Sequence, residues 1–199
     1  MNSTEAQAQQ EVAQVVRTVE ELTGLPSRWS GQVELVPGAQ YRGQKSFSCH
    51  ISIRASLAQD ESRWMTFIHE ALHSVSAGFV GEDYRSARGW EEGVVEQLQR
   101  LFRAEVLDRL GVHVEEAVFA EAEGKHLYNL YIEYLEQLRQ LLQDEPEGFY
   151  LDLLRTPIKA RAARIYARGS ALGLPQGVFI RIFSTASATM RDKLTGDLL

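Results

Sequence analysis

Residues 67–74 read "FIHEALHS", which sets His69 and His73 four positions apart with Glu70 directly after the first. On an α-helix, positions i and i+4 lie one above the other, so the two imidazoles can reach one ion from a single face. Glu70 is turned about 100° from His69, which puts its carboxylate beside such an ion rather than on it. From there it can hold and deprotonate a metal-bound water, so the three residues suit metal-assisted hydrolysis. The competing reading is an ordinary amphipathic helix that carries two histidines, and the flanking sequence must decide between them.

The flanks predict a helix. Asp60 is a candidate N-cap, Glu61 puts negative charge in the first turn, and Gly78 is a candidate for the residue just past the end. Trp64, Phe67, Ile68, Ala71, Leu72 and Val75 recur at helical spacing and form one apolar stripe. At about 100° per residue, that stripe is centred nearly opposite the two histidines. Their own face carries Ser62, Thr66, Ser76 and Ala77, which are small enough to leave room for an ion and a substrate.

A catalytic zinc site usually has three protein ligands and leaves one position for water. Downstream, "GWEEGVVEQLQRLF" over residues 89–102 carries a second helical stripe of Val94, Val95, Leu98, Leu101 and Phe102. Glu92 and Glu96 form an i, i+4 pair on its other side. Such pairs are commonly a solvated acidic face, yet antiparallel packing of the two helices would bring Glu92 to the histidines. Glu82 and Asp83, in the loop or short hairpin expected over residues 78–89, are rival third ligands without that helical context. His50 is a weaker candidate still, better read as a partly exposed strand histidine.

His73 and Glu92 are separated by 18 residues, giving H-E-x-x-H-x18-E, and the second segment reads "WEEGVVEQL". Together they resemble the gluzincin metallopeptidases of the aminopeptidase type, whose second helix carries a W-x-x-E-G-x-x-E signature. The resemblance covers about residues 60–105. It implies His69, His73 and Glu92 as zinc ligands, Glu70 as general base, and Glu96 as an acid supporting a ligating histidine. It implies an α+β, zincin-like fold, with a small N-terminal sheet, an active-site helix and a mainly helical C-terminal half. The implied activity is hydrolysis of a peptide or protein substrate, Glu70 taking a proton from water and returning it to the leaving amine. The chain departs from the family in lacking a G-A-M-E-N-like motif. No tyrosine or histidine of its C-terminal half lies in a signature for the oxyanion-stabilising residue.

With 199 residues and 44% hydrophobic content, the chain suits a single catalytic domain. Residues 1–110 would supply the sheet and the ligand helices, and residues 111–199 a helical subdomain walling the cleft. A formal net charge of −6 argues against non-specific nucleic-acid binding. The single cysteine excludes an intramolecular disulfide and fits a reducing compartment. The polar N-terminus lacks the features of a signal peptide, and no apolar run approaches a membrane span, so the expected location is the cytoplasm.

A first helix is expected over residues 6–23, with Val12, Val15, Val16, Val19 and Leu22 as its stripe. Strands are expected in "QVELVPG" and "KSFSCHISIRASL". In the latter Phe47, Cys49, Ile51 and Ile53 alternate with polar residues, and Cys49 is read as core. This strand, just before the histidine helix, is expected to offer the edge on which a peptide substrate pairs. Helices should follow over about 112–123, 126–143, 147–172 (interrupted near Pro157) and 176–194.

The helical half should provide the oxyanion donor. Tyr128, Tyr131, Tyr150 and Tyr166 are the candidates, although tyrosines packing helix on helix are the commoner case. Arg161, Arg164 and Arg168 around Tyr166 suit either a substrate carboxylate or a solvated helix face. Two further functions fit the same residues. One is a regulatory protease for a single protein partner. The other is a zinc-bound binding module or self-inhibited enzyme whose C-terminal segment, "STASATMRDKLTGDLL", fills the cleft.

Overall fold

The computed structural model describes residues 3–46 and 48–191. It is mostly helical with one small mixed sheet, an α+β composition in the broad sense. In chain order the elements are α1 (Ser3–Thr23), β1 (Val33–Val36), β2 (Gly43–Lys45), β3 (Ile51–Arg54), α2 (Arg63–Val75), α3 (Gly81–Ser86), α4 (Arg88–Leu110), α5 (Glu116–Gly124), α6 (Asn129–Leu142), α7 (Pro146–Arg155), α8 (Arg161–Ala171) and α9 (Gln176–Arg191). No helix among the described residues is long and apolar enough to cross a membrane. The chain groups into two compact units. Among the described residues, the first runs to Val75 and resumes over Gln99–Lys125; the second comprises Ser76–Leu98 and the residues from His126 to Arg191. Helix α4 is continuous through the division.

In the first unit, α1 buries Val12, Val15, Val16 and Val19 as its periodicity predicts, and packs against α2. Arg63 at the start of α2 donates from Nε and Nη2 to the two carboxylate oxygens of Glu11, at 2.8 and 3.0 Å, a fork that holds both side chains in one geometry. Asp60, three residues before α2, accepts from the Ser62 backbone N–H at 2.7 Å and from its hydroxyl at 2.5 Å. These bonds hold the Asp60 carboxyl below its ordinary range. At the other end of α2, Ser27 meets the Ser74 hydroxyl at 2.7 Å and the Arg28 N–H donates to the Ser74 carbonyl.

The strand expected over residues 45–57 is instead a hairpin followed by a 3₁₀ turn at Ala55–Gln59. The chain reverses between Lys45 and Ile51, and Cys49 sits there at φ +66°, a left-handed turn conformation that no strand tolerates. Cys49 is therefore a half-buried turn residue rather than core, and His50 is exposed in the same turn. Phe47, part of the expected alternation, lies outside the described residues. The sheet order is β1-β3-β2, with β3 parallel to β1 and antiparallel to β2. The strand preceding α2 is thus the central one, paired on both sides, and the edge on its α2 flank is β2. Strand β2 packs on α2 through Gly43, where an added Cβ would stand 2.4 Å from Thr66 Cγ2 and 3.0 Å from Glu70 Oε1.

In the second unit, residues 81–86 form helix α3 rather than the expected loop or hairpin. The first turns of α4 are enclosed on several sides. Arg161, on α8, is wholly buried and reaches Glu91 Oε2 at 2.8 Å, the Trp90 carbonyl at 2.8 Å and the Ser76 hydroxyl at 2.8 Å. Ser76 in turn donates to Glu91 Oε2. Gly93 faces α6, where a Cβ would meet Leu135 Cδ1 at 2.8 Å and Tyr131 Cβ at 2.9 Å. Gly89, one turn earlier, lies against the backbone of Met190 on α9. Helix α9 also packs along α6 and α8. The C-terminal residues 192–199, part of the segment considered for self-inhibition, lie outside the described residues.

Two stability predictions test this arrangement. Replacing Arg161 by Ala strands the buried Glu91 carboxylate and should cost about 3–5 kcal/mol in denaturant unfolding. A loss below 1 kcal/mol would show that the pair is dispensable. Gly93→Ala should destabilise by about 1–3 kcal/mol through overpacking against α6, although helix propensity alone favours Ala by about 1 kcal/mol; a stabilised variant would mean that α6 yields at this contact.

Candidate metal centre

Helix α2 is amphipathic in an unusual sense, because both of its faces are enclosed. The apolar stripe of Trp64, Phe67, Ile68, Ala71, Leu72 and Val75 is buried, as its spacing predicts. Yet Ser62, Thr66 and Ser76 are buried too, together with Glu70 and His73, while His69 is half-buried. The Nε2 atoms of His69 and His73 face each other 3.1 Å apart, with their rings nearly perpendicular. Two nitrogens on one tetrahedral zinc, each at about 2.0–2.1 Å, are about 3.3 Å apart. The pair thus already has the spacing of two ligands on one ion.

The acidic side of α4 is buried and not a solvated face: Glu92 and Glu96 are each only 3% exposed and Glu91 is fully enclosed. Leu101, assigned to the apolar stripe, is 38% exposed at its margin, whereas Val94, Val95, Leu98 and Phe102 are buried. The Glu92 carboxylate is engaged at Oε1 by two groups of its own unit. Tyr84, on α3, donates its hydroxyl to Oε1, and Arg88 stands one turn away with Nε 3.6 Å from the same oxygen. Burial, with the nearby Glu92 carboxylate, pushes the Tyr84 hydroxyl far above its ordinary range, so it remains a donor. Burial opposes the charge on Arg88, but Tyr128, Tyr84 and Glu92 outweigh it and raise its pKa.

One ligand atom each from His69, His73 and Glu92 lies within 4.8 Å of the others. Two imidazoles and a carboxylate are a donor set suited to zinc. The rival third ligands lie elsewhere: Glu82 is exposed, and Asp83 stands 3.5 Å from Lys159. Neither belongs to a ligand group among the described residues, nor does His50.

The other residues singled out in the sequence have structural partners. Tyr150 donates to Glu136 at 2.8 Å, Tyr131 is buried against Gly93, and the ring of Tyr166 packs on Phe179 and Phe183. Tyr128 accepts from Arg88 Nη2 at 3.1 Å. The arginines of α8 do not share one environment: Arg161 is buried while Arg164 is exposed. Arg161 is paired inside with Glu91, Arg164 with Asp152, and Arg168 with Asp144. Tyr84 and Arg88 are residues that sequence reasoning missed, because their i, i+4, i+8 spacing to Glu92 falls in a segment expected to be a loop or hairpin.

Compared with protein-family models, curated proteins and solved structures, the chain matches none. Within the motif itself, Trp90 stands two positions before Glu92, where the gluzincin signature has three.

Purified protein should carry about one zinc per chain, and metal analysis of Glu92→Ala should show most of it lost while Glu82→Ala and Asp83→Ala keep it. Tight binding by Glu92→Ala would remove Glu92 from the ligand set. Glu96, buried one turn beyond Glu92, should act as support for a ligating histidine. Glu96→Ala should weaken zinc binding or activity by roughly 10–100-fold, the usual effect of losing such a partner. Unchanged affinity and activity in that variant would leave Glu96 no part in the site.

Proposed function

We propose that the chain is a zinc-dependent metallopeptidase with a zincin-like fold, related in design to the gluzincins, that hydrolyses peptide bonds of a peptide or protein substrate. The observation that carries this is the convergence of His69, His73 and Glu92, with Glu70 next to the first ligand on the same helix. Exposed acidic clusters are common without a metal, whereas here Glu92 and His73 are buried. A bound zinc ion would supply a Lewis acid and a water with a pKa near about 7.

The remaining work falls to the chain. His69 and His73 would hold the ion as neutral imidazoles through Nε2, and Glu92 through a carboxylate oxygen. Glu70 leaves α2 about 100° from His69, and in this reading its carboxylate serves proton transfer rather than binding the ion. It takes the proton of the attacking water and delivers it to the departing amine. The substrate class is supported by β2, an edge strand lying on α2 through Gly43 beside Glu70. An extended peptide can pair its backbone with such an edge without demanding particular side chains. The single cysteine supports a reducing, cytoplasmic setting.

Glu70→Gln tests the function. Gln keeps the size and one acceptor oxygen but takes no proton at neutral pH. Hydrolysis of a peptide library, read by mass spectrometry, should fall by at least about 10²–10⁴-fold, with zinc content and unfolding midpoint unchanged. Retained cleavage by Glu70→Gln, or no cleavage by zinc-loaded wild type, would reject the peptidase.

A further inference from the structure

The Glu92 carboxylate is approached at one oxygen by two groups of opposite character. Tyr84 gives Oε1 a neutral hydrogen bond, while Arg88 brings it a full positive charge at 3.6 Å. The two groups are themselves tied together. The guanidinium lies over the Tyr84 ring, 5.9 Å from its centroid, and is held from beyond by the Tyr128 hydroxyl. Tyr84 is braced in turn by Phe79, with ring centroids 5.2 Å apart. Both contacts fall on Oε1.

We propose that Tyr84 and Arg88 form a clamp that tunes the metal affinity of Glu92, the Tyr84 hydroxyl positioning the ligand for an ion and the Arg88 guanidinium competing with the ion for its charge. The proposal rests on the zinc reading of the site and adds to it residues that the H-E-x-x-H-x18-E pattern does not contain. The two arms differ in sign. A neutral donor that orients a ligand carboxylate aids binding, because the ion then meets a carboxylate already held in place. A guanidinium within ion-pair distance satisfies the carboxylate in the ion's absence and repels an incoming cation. Both are positioning residues, since neither is required to touch substrate.

The test uses the full chain, with Zn²⁺ alone in competition with a chromophoric chelator and Co²⁺ alone read by its visible absorption. Tyr84→Phe keeps the ring packing and removes only the hydroxyl. Zinc affinity should fall by roughly 10–100-fold, and the Co²⁺ bands should shift as the carboxylate changes its mode of binding. Arg88→Met should instead raise zinc affinity, by roughly 2–10-fold for one partly screened charge. In a Glu92→Ala background, Tyr84→Phe should change neither readout. Equal affinity and an unshifted spectrum in Tyr84→Phe would overturn the clamp while leaving the zinc site intact. Loss of affinity in both variants alike would also overturn it, since a merely structural role for the cluster predicts that result. Failure of wild type to bind either ion would overturn the clamp and the zinc reading together.

Discussion

A guanidinium with no access to solvent needs partners for its donors, and Arg161 finds four of them in three separate stretches of the chain. Its partners are the Glu91 carboxylate, the Trp90 and Thr156 carbonyls and the Ser76 hydroxyl. Burial still disfavours the charge, lowering the arginine pKa against the pull of Glu91. Buried ion pairs are weak devices for stability alone, because well-packed apolar residues often do as well. What this pair supplies is orientation. Adjacent residues on a helix point about 100° apart, so fixing Glu91 toward Arg161 fixes the direction in which Glu92 leaves the helix. Gly93, about 100° to the other side, is pressed against α6. Helix α4 is thus prevented from turning about its axis on both sides of Glu92, and the carboxylate cannot drift without disturbing a buried charge or a close backbone contact.

The histidine helix reaches the same end by different means. Its start is tied to α1 through Arg63 and Glu11, and to the chain entering β2 through Arg42, which donates to the Ser62 hydroxyl at 2.7 Å. Its end is tied through Ser74 to Ser27 and Arg28. His69 and His73 lie between these anchors. The small residues on their face are what allow β2 to come so near, since Gly43 leaves no room for a side chain against Thr66 and Glu70. A bulkier residue at either place would separate strand from helix. The same closeness would bring a backbone paired with β2 toward Glu70.

What the sequence reveals follows the range of the interactions. The stripes of α1, α2 and α4 are local patterns of period 3.6 and are found where they are expected except at their margins, where Leu22 is half-buried and Leu101 exposed; the helix breaks near Gly124, Pro157 and Gly173 are found as well. The i, i+4 spacing of the histidines is local as well, and the structure gives it the expected geometry. The reversal at residues 46–50 is hidden because polar and apolar residues alternate straight through it. Only the backbone reveals that Cys49 has a positive φ. The burial of Glu92 and Glu96 is hidden for another reason. Acidic pairs on a helix are ordinarily solvated, and nothing in the local pattern of residues 89–102 shows that this side is buried.

Tyr84 shows how a site can be completed by a break in regular structure. On one unbroken helix, Tyr84 would stand eight residues before Glu92, about 12 Å along the axis, with Arg88 on the same face between them. Its hydroxyl would fall short of the carboxylate. The chain avoids this at Ala87, which leaves helical geometry with φ −142° and ψ 34° while its N–H is still bonded to the carbonyls of Asp83 and Tyr84. That single non-helical residue ends α3 and starts α4, and it folds the tyrosine back so that its hydroxyl and the Arg88 guanidinium meet the same oxygen. The segment expected to be a loop before α4 is therefore part of the surroundings of Glu92. Its contribution depends on the helix being interrupted at that residue, since neither continuous helix nor open loop would bring Tyr84 to Glu92.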